Sequence, residues 1–158
     1  MSYLLEMDGW KNNIRFSSAH MIFDHDKCGF LHGHTYAIHL KVFGEKDKNG
    51  FIIDFSILKS ALKKIADQLD HRVLIPEKND FVTINNNEIE ICHEEKKYIL
   101  PKIDCVILPI KSSTAENLSE YLLENLLSQL TITKNIKKIC LGLDEGFGQG
   151  AVVEKIVG

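Results

Sequence analysis

Two histidines flanking one glycine, His32-Gly33-His34, and a third at His20 are the side chains of this sequence best suited to chemistry. Residues two apart on a β-strand leave from the same face, so His32 and His34 point together. His20 ends the preceding strand-like run, and antiparallel pairing of the two runs brings its ring alongside. Three neutral imidazoles hold zinc with a fourth position open, the arrangement in which a ligand oxygen is polarised. A closed structural site is the other metal reading, with Cys28, His25, His32 and His34 as four ligands and no open position. An H-x-H pair by itself also occurs on ordinary strands.

Cys28 lies four residues before His32 in a glycine-containing turn, DHDKCGFLHG. A zinc ion, imidazole or lysine nearby favours a thiolate, which can accept a proton. Asp70-His71 directly follows a helical stretch. An aspartate bonded to a histidine fixes its tautomer and raises its basicity, so Asp70, His71 and Cys28 are candidates for a proton relay. A plain helix terminus explains the same pair. Glu145 stands among glycines just after an apolar strand, where a carboxylate suits a ring with adjacent N–H donors. His39 falls on the opposite strand face from His34. His25 is close enough in the loop to approach the site, and His93, in a charged stretch, is expected to be solvated.

The elements that must position these groups follow from periodicity. Residues 10–23 are expected to form a strand and 34–45 a second one, with Tyr36, Ile38, Leu40 and Val42 sharing the His34 face. Residues 46–50 (KDKNG) make a turn, and 51–53 a short strand. Ile57, Leu58, Ala61, Leu62, Ile65, Ala66 and Leu69 give a helix over 57–69, capped by Ser56. The region 76–110 is expected to hold hairpin strands. Ser113 and Glu116 fit a capping box for a second helix with Leu118, Leu122, Leu126 and Leu130 in one stripe. Strands at 136–143 and 150–157 complete an α+β chain with both helices on one face of an antiparallel sheet. The 158 residues suit one domain, with an extended segment at about 73–111.

A formal charge of −3 with scattered lysines argues against a nucleic-acid partner. No run of apolar residues is long enough to span a bilayer, and the first ten residues do not read as a signal peptide, so a cytoplasmic protein is expected. None of the four cysteines forms a C-x-x-C pair; Cys140 and Cys105 are expected to be buried small hydrophobes.

The motifs FSSAH (16–20), C-x-x-x-H-G-H (28–34), DF (54–55), LDH (69–71), STAEN (113–117) and the late Glu145 occur in one order. Together they resemble the 6-pyruvoyl-tetrahydropterin synthase family, which includes the 6-carboxytetrahydropterin synthases of queuosine and archaeosine biosynthesis. The resemblance implies one zinc ion on His20, His32 and His34, Cys28 as base with the Asp70-His71 pair, and Glu145 as pterin anchor. It implies that Thr114 and Glu116 help line the pterin pocket. It also implies the tunnelling fold, or T-fold, in which subunits join strands into a barrel as trimers and hexamers, with active sites at interfaces. The substrate implied is the small molecule 7,8-dihydroneopterin triphosphate, with Lys27 and Arg15 as candidates for its phosphates. The three-residue gap between Cys28 and His32 resembles the carboxytetrahydropterin branch, whose members release acetaldehyde and triphosphate. Triphosphate elimination to 6-pyruvoyltetrahydropterin is the alternative, and a non-catalytic zinc-stabilised pterin-binding module a third. The segment 73–111 and the glycine-rich EGFGQG loop depart from the family pattern.

Overall fold

The alternating run that contains the His32–His34 pair continues for thirteen residues, long enough to be paired along both edges. In the computed structural model, which describes residues 1–158, it is strand β3 (His32–Gly44). With β1 (Tyr3–Met7) and β2 (Arg15–His20) preceding it, β3 pairs antiparallel with β2 through its first half and with β1 through its second. Helix α1 (Phe55–Leu69) then crosses over to β4 (Arg72–Pro76). Strands β5 (Val82–Ile84), β6 (Glu88–His93) and β7 (Lys96–Pro101) form a separate three-stranded sheet, as expected for hairpins in this region. The chain returns as β8 (Cys105–Leu108), α2 (Ala115–Gln129), β9 (Ile136–Glu145) and β10 (Gly150–Ile156).

The large sheet has the order β10-β9-β3-β2-β4-β8, with β1 beside β3. It is mixed rather than purely antiparallel. β4 runs parallel to both β2 and β8: β3 returns the chain past the start of β2, α1 leads it forward to Ser17, from which β4 continues, and the inserted segment returns it before β8. Residues 51–53 do not join the sheet, and residues 8–13 form turns ahead of β2, so the first predicted strand shortens to 15–20.

Both helices pack on one face of the sheet. α1 buries Leu58, Leu62, Ile65, Ala66 and Leu69; α2 buries Leu118, Leu122, Leu123 and Leu126 against Tyr36, Ile38, Leu40, Leu141 and Leu143. Each such leucine contributes roughly 1.5–3 kcal/mol of transfer free energy. The caps sit one or two residues from the expected ones. Asp54 accepts the Ser56 N–H at 2.7 Å, and Thr114 Oγ1 accepts the Asn117 N–H at 3.4 Å. Ser113 is instead buried, its hydroxyl donating to the Met21 carbonyl at 3.2 Å, which ties the start of α2 to the end of β2.

The other sheet face carries Thr35, His39, Lys41, Lys138, Val152 and Glu154 and has no helix over it; Val152 and Ile156 on the edge strand β10 are exposed. All four cysteines are free, with Cys140 buried and Cys105 half-buried. No helix is long and apolar enough to cross a membrane.

Candidate metal centre

Register explains why the three imidazoles meet. His20 lies directly opposite His32 in the β2–β3 pairing, and His34 is two residues further on the same face. Gly33 lets the strands close, since a Cβ there would stand 3.0 Å from the Ser18 carbonyl oxygen. The ligand nitrogens of His20, His32 and His34 all lie within 4.8 Å of one another.

Hydrogen bonds fix two of the tautomers. His20 Nδ1 is 2.9 Å from the Ser113 carbonyl, and His32 Nδ1 is 2.7 Å from the Phe30 carbonyl. A carbonyl only accepts, so each Nδ1 carries the hydrogen and each Nε2 presents a lone pair. The two Nε2 atoms nevertheless stand 3.1 Å apart. Two lone pairs at that distance repel unless a cation or a proton lies between them. Tetrahedral zinc with nitrogens at its usual bond length separates neighbouring nitrogens by about 3.3 Å. Burial, assisted by the charges of His32 and His34 and opposed by the Ser113 carbonyl, pushes the His20 pKa down to about 4, and burial also lowers that of His34. Both rings are therefore neutral bases at pH 7, the form a metal requires. The donor set fits zinc with an open position. The closed alternative is disfavoured because His25 Nδ1 is engaged by the Cys28 backbone N–H at 3.1 Å and neither residue belongs to the cluster.

Around this cluster lie polar atoms without partners. Glu145 Oε1 and the Tyr36 hydroxyl are buried with no hydrogen bond, and Glu145 Oε1 is 3.9 Å from His20 Nε2. Desolvation raises the Glu145 pKa, with Glu116 adding to the rise and His32 opposing it, and burial raises that of Tyr36. Buried groups left unsatisfied in this way await a ligand or cost stability. Glu145→Gln is accordingly expected to stabilise the zinc-free protein by about 1 kcal/mol. Thermal melts of the two chelated proteins check this; a lower melting temperature for the variant would mean the carboxylate is satisfied.

Cys28, His25, Thr114, Glu116, Glu145 and Gln149 line one cavity of about 400 Å³. Its wall includes the N-terminal end of α2, which favours negative charge. Gly29 closes the turn after Cys28, where a Cβ would lie 2.6 Å from the His25 carbonyl oxygen. His71 lines a different cavity, of about 580 Å³, with Ser17, Gly33, His34, Thr35 and Arg72 among others. There Asp70 accepts the Ser17 N–H at 2.7 Å and pairs with His71 Nδ1 at 2.8 Å, while the His71 N–H bonds to the Ser17 carbonyl at 2.7 Å. The Ser17 N–H is the main cause of a lowered Asp70 pKa, with burial opposing it and His71 adding to it. These bonds hold His71 at a φ of 56°, a conformation rarely adopted outside glycine, with its ring 80% exposed. Cys28 lines the first cavity and His71 the second, and no hydrogen bond or ion pair of the single chain joins Cys28 to the Asp70-His71 pair. Lys27 is exposed and lines neither cavity, and Arg15 binds the Asn13 side chain away from both. The motifs did not single out Arg72, a cation beside His71, nor the uncharged Gln149 and Tyr36.

A family model described as 6-pyruvoyl tetrahydropterin synthase matches residues 10–155. A relative from Methanocaldococcus jannaschii, provisionally named 6-carboxy-5,6,7,8-tetrahydropterin synthase, is 37% identical over 157 residues, 96% of each chain. The Rickettsia conorii 6-carboxy-5,6,7,8-tetrahydropterin synthase is 30% identical over 135 residues, 84% of this chain and 89% of its own. In structure, a Plasmodium vivax 6-pyruvoyltetrahydropterin synthase variant superposes with a TM-score of 0.91 at 30% identity, covering 99% of both chains, so the segment at 73–111 lies within the shared fold. The fold is the T-fold of these synthases, and the chain belongs to the 6-pyruvoyl tetrahydropterin synthase family.

Proposed function

We propose that this chain is a zinc-dependent lyase that converts 7,8-dihydroneopterin triphosphate and water into 6-carboxy-5,6,7,8-tetrahydropterin, acetaldehyde and triphosphate. The observation that carries the reading is the pair of bare His20 and His32 Nε2 atoms 3.1 Å apart, next to a buried carboxylate oxygen, Glu145 Oε1, with no partner. Zinc bound there supplies a Lewis acid that acidifies the hydroxyls of the substrate side chain. Glu145 accepts the paired N–H groups of the pterin ring, which desolvation makes worthwhile for a carboxylate lacking any other donor. Thr114 and Glu116 bound the same cavity, and Cys28 accepts a side-chain proton. By this assignment, Glu145→Gln acts mainly on KM. The three-residue gap between Cys28 and His32 and the names of the sequence relatives favour carbon–carbon cleavage.

The functional unit in this reading is a homo-oligomer, a trimer or hexamer. The open β10 edge and the helix-free sheet face are surfaces that a barrel of several copies would use. The Asp70-His71 pair of a neighbouring copy then completes the relay to Cys28. Four free cysteines agree with a reducing cytoplasmic setting. The superposition on a 6-pyruvoyltetrahydropterin synthase supports a second reading, simple triphosphate elimination. Product analysis of the zinc-loaded protein with dihydroneopterin triphosphate decides. One acetaldehyde per triphosphate is expected; 6-pyruvoyltetrahydropterin without acetaldehyde would select the second reading.

A further inference from the structure

The segment 73–111 has so far no task. Its three-stranded sheet packs Ile89 and Ile91 against Met21 and Phe23, so it is anchored to the beginning of the loop that carries Cys28. The tip of the β6–β7 hairpin reaches further. His93 is not solvated as its charged neighbours suggest: its side chain is 12% exposed, with the ring 4.3 Å from Phe81 and 5.6 Å from Phe23, and Nε2 bonded to Asp24 Oδ1 at 3.0 Å. At the far end of the same loop, the Lys96 ammonium donates to the Gly29 carbonyl at 3.3 Å and stands 3.8 Å from the centre of the Phe30 ring. The hairpin thus grips the loop before and after Cys28.

The second grip bears on two functional groups at once. Gly29 follows Cys28, and its carbonyl lies in the Gly29–Phe30 peptide, so holding it fixes the turn one peptide beyond the residue that carries the thiol. Phe30 supplies the carbonyl that fixes the His32 tautomer. The loop's own bonds are short-range ones: Ile22 N–H to the Cys28 carbonyl and Gly29 N–H to the His25 carbonyl at 2.8 Å, Cys28 N–H to His25 Nδ1 at 3.1 Å, and Phe30 N–H to the Lys27 carbonyl at 3.4 Å. A loop held within itself only by such local bonds needs an external tether to keep a reacting group within fractions of an ångström.

We propose that Lys96 is a positioning residue, which sets the Cys28 turn and, through Phe30, the His32 ring. The proposal rests on the functional reading above for the roles of Cys28 and His32. The test compares Lys96→Met, which keeps the aliphatic stem, with Lys96→Arg, which keeps a donor and a cation that stacks on an aromatic ring. Amide exchange of residues 22–31 is measured without substrate, alongside kcat and KM. In Lys96→Met, exchange over 22–31 is expected to rise about tenfold while α1 and α2 are unchanged. kcat is expected to fall about tenfold at nearly constant KM, as for other groups that orient metal ligands and reacting side chains. Lys96→Arg restores both. Unchanged exchange over 22–31, a rise spread equally over the helices, an unaltered kcat, or failure of arginine to restore would each overturn the proposal. If the unmodified protein proves to have no turnover, the functional reading fails by that result, and the exchange data alone decide whether Lys96 orders the loop.

Discussion

His20→Ala is expected to abolish stoichiometric zinc binding and to lower turnover by three orders of magnitude or more, roughly the loss seen when an essential group is removed. Its ring is 1% exposed and faces the other two imidazoles across the β2–β3 pair, so its removal takes one of three convergent nitrogens from the site. Its Nδ1–H is spent on the Ser113 carbonyl, which locks the lone pair toward the metal position. Alanine also leaves a void and orphans that carbonyl, costs that together reach about 2–4 kcal/mol. The repulsion between two lone pairs 3.1 Å apart disappears in the variant and offsets part of this. His32→Ala separates the two effects, because His32 is only half-buried and its loss should empty the site with little change in melting temperature. Metal analysis and circular dichroism check both variants. Chelated wild-type protein should likewise stay folded, since the core under α1 and α2 is independent of the cluster. One equivalent of zinc retained with near-normal turnover in either variant would refute the assignment.

The site was more legible in the sequence than the frame that serves it. Period-two spacing placed His32 and His34 on one face, and the face shared by Tyr36, Ile38, Leu40 and Val42 followed from the same rule. Those are local properties. The groups that make the imidazoles usable are the carbonyls of Ser113 and Phe30, and a backbone carbonyl has no signature in the sequence. Ser113 was expected to cap α2; the fold uses it to tie α2 to β2 because Thr114, one residue later, can cap equally well. The parallel joins at β4 and β8 were missed for a related reason, since the apolar run of β4 fits either direction and only the long crossover decides. His93 misled because charged neighbours in sequence say nothing of Phe23, seventy residues away, whose ring covers it. Motif chemistry groups Cys28 with Asp70-His71, and no sequence rule reveals that in one chain Cys28 and His71 line different cavities.

That separation gives the second large effect. Cys28→Ala is expected to lower kcat by about 10²–10⁴, the range for removal of a general base, with zinc content and melting temperature unchanged, because the thiol is half-buried and outside the imidazole cluster. His71→Ala should act similarly, since its ring is largely exposed and contributes little to packing. The informative experiment mixes the two. If Cys28 of one copy works with His71 of the next, a site is intact when its Cys28 side comes from a His71→Ala chain and its His71 side from a Cys28→Ala chain. Random co-assembly of equal amounts satisfies this at about one site in four, so about a quarter of wild-type activity should return on mixing, after unfolding and refolding together. A relay closed within one chain allows no recovery, because every copy then carries a damaged site. Full activity of Cys28→Ala alone would remove the thiol from the mechanism, and absence of recovery on mixing would require the loop at 21–31 and the Asp70-His71 turn to meet within one subunit.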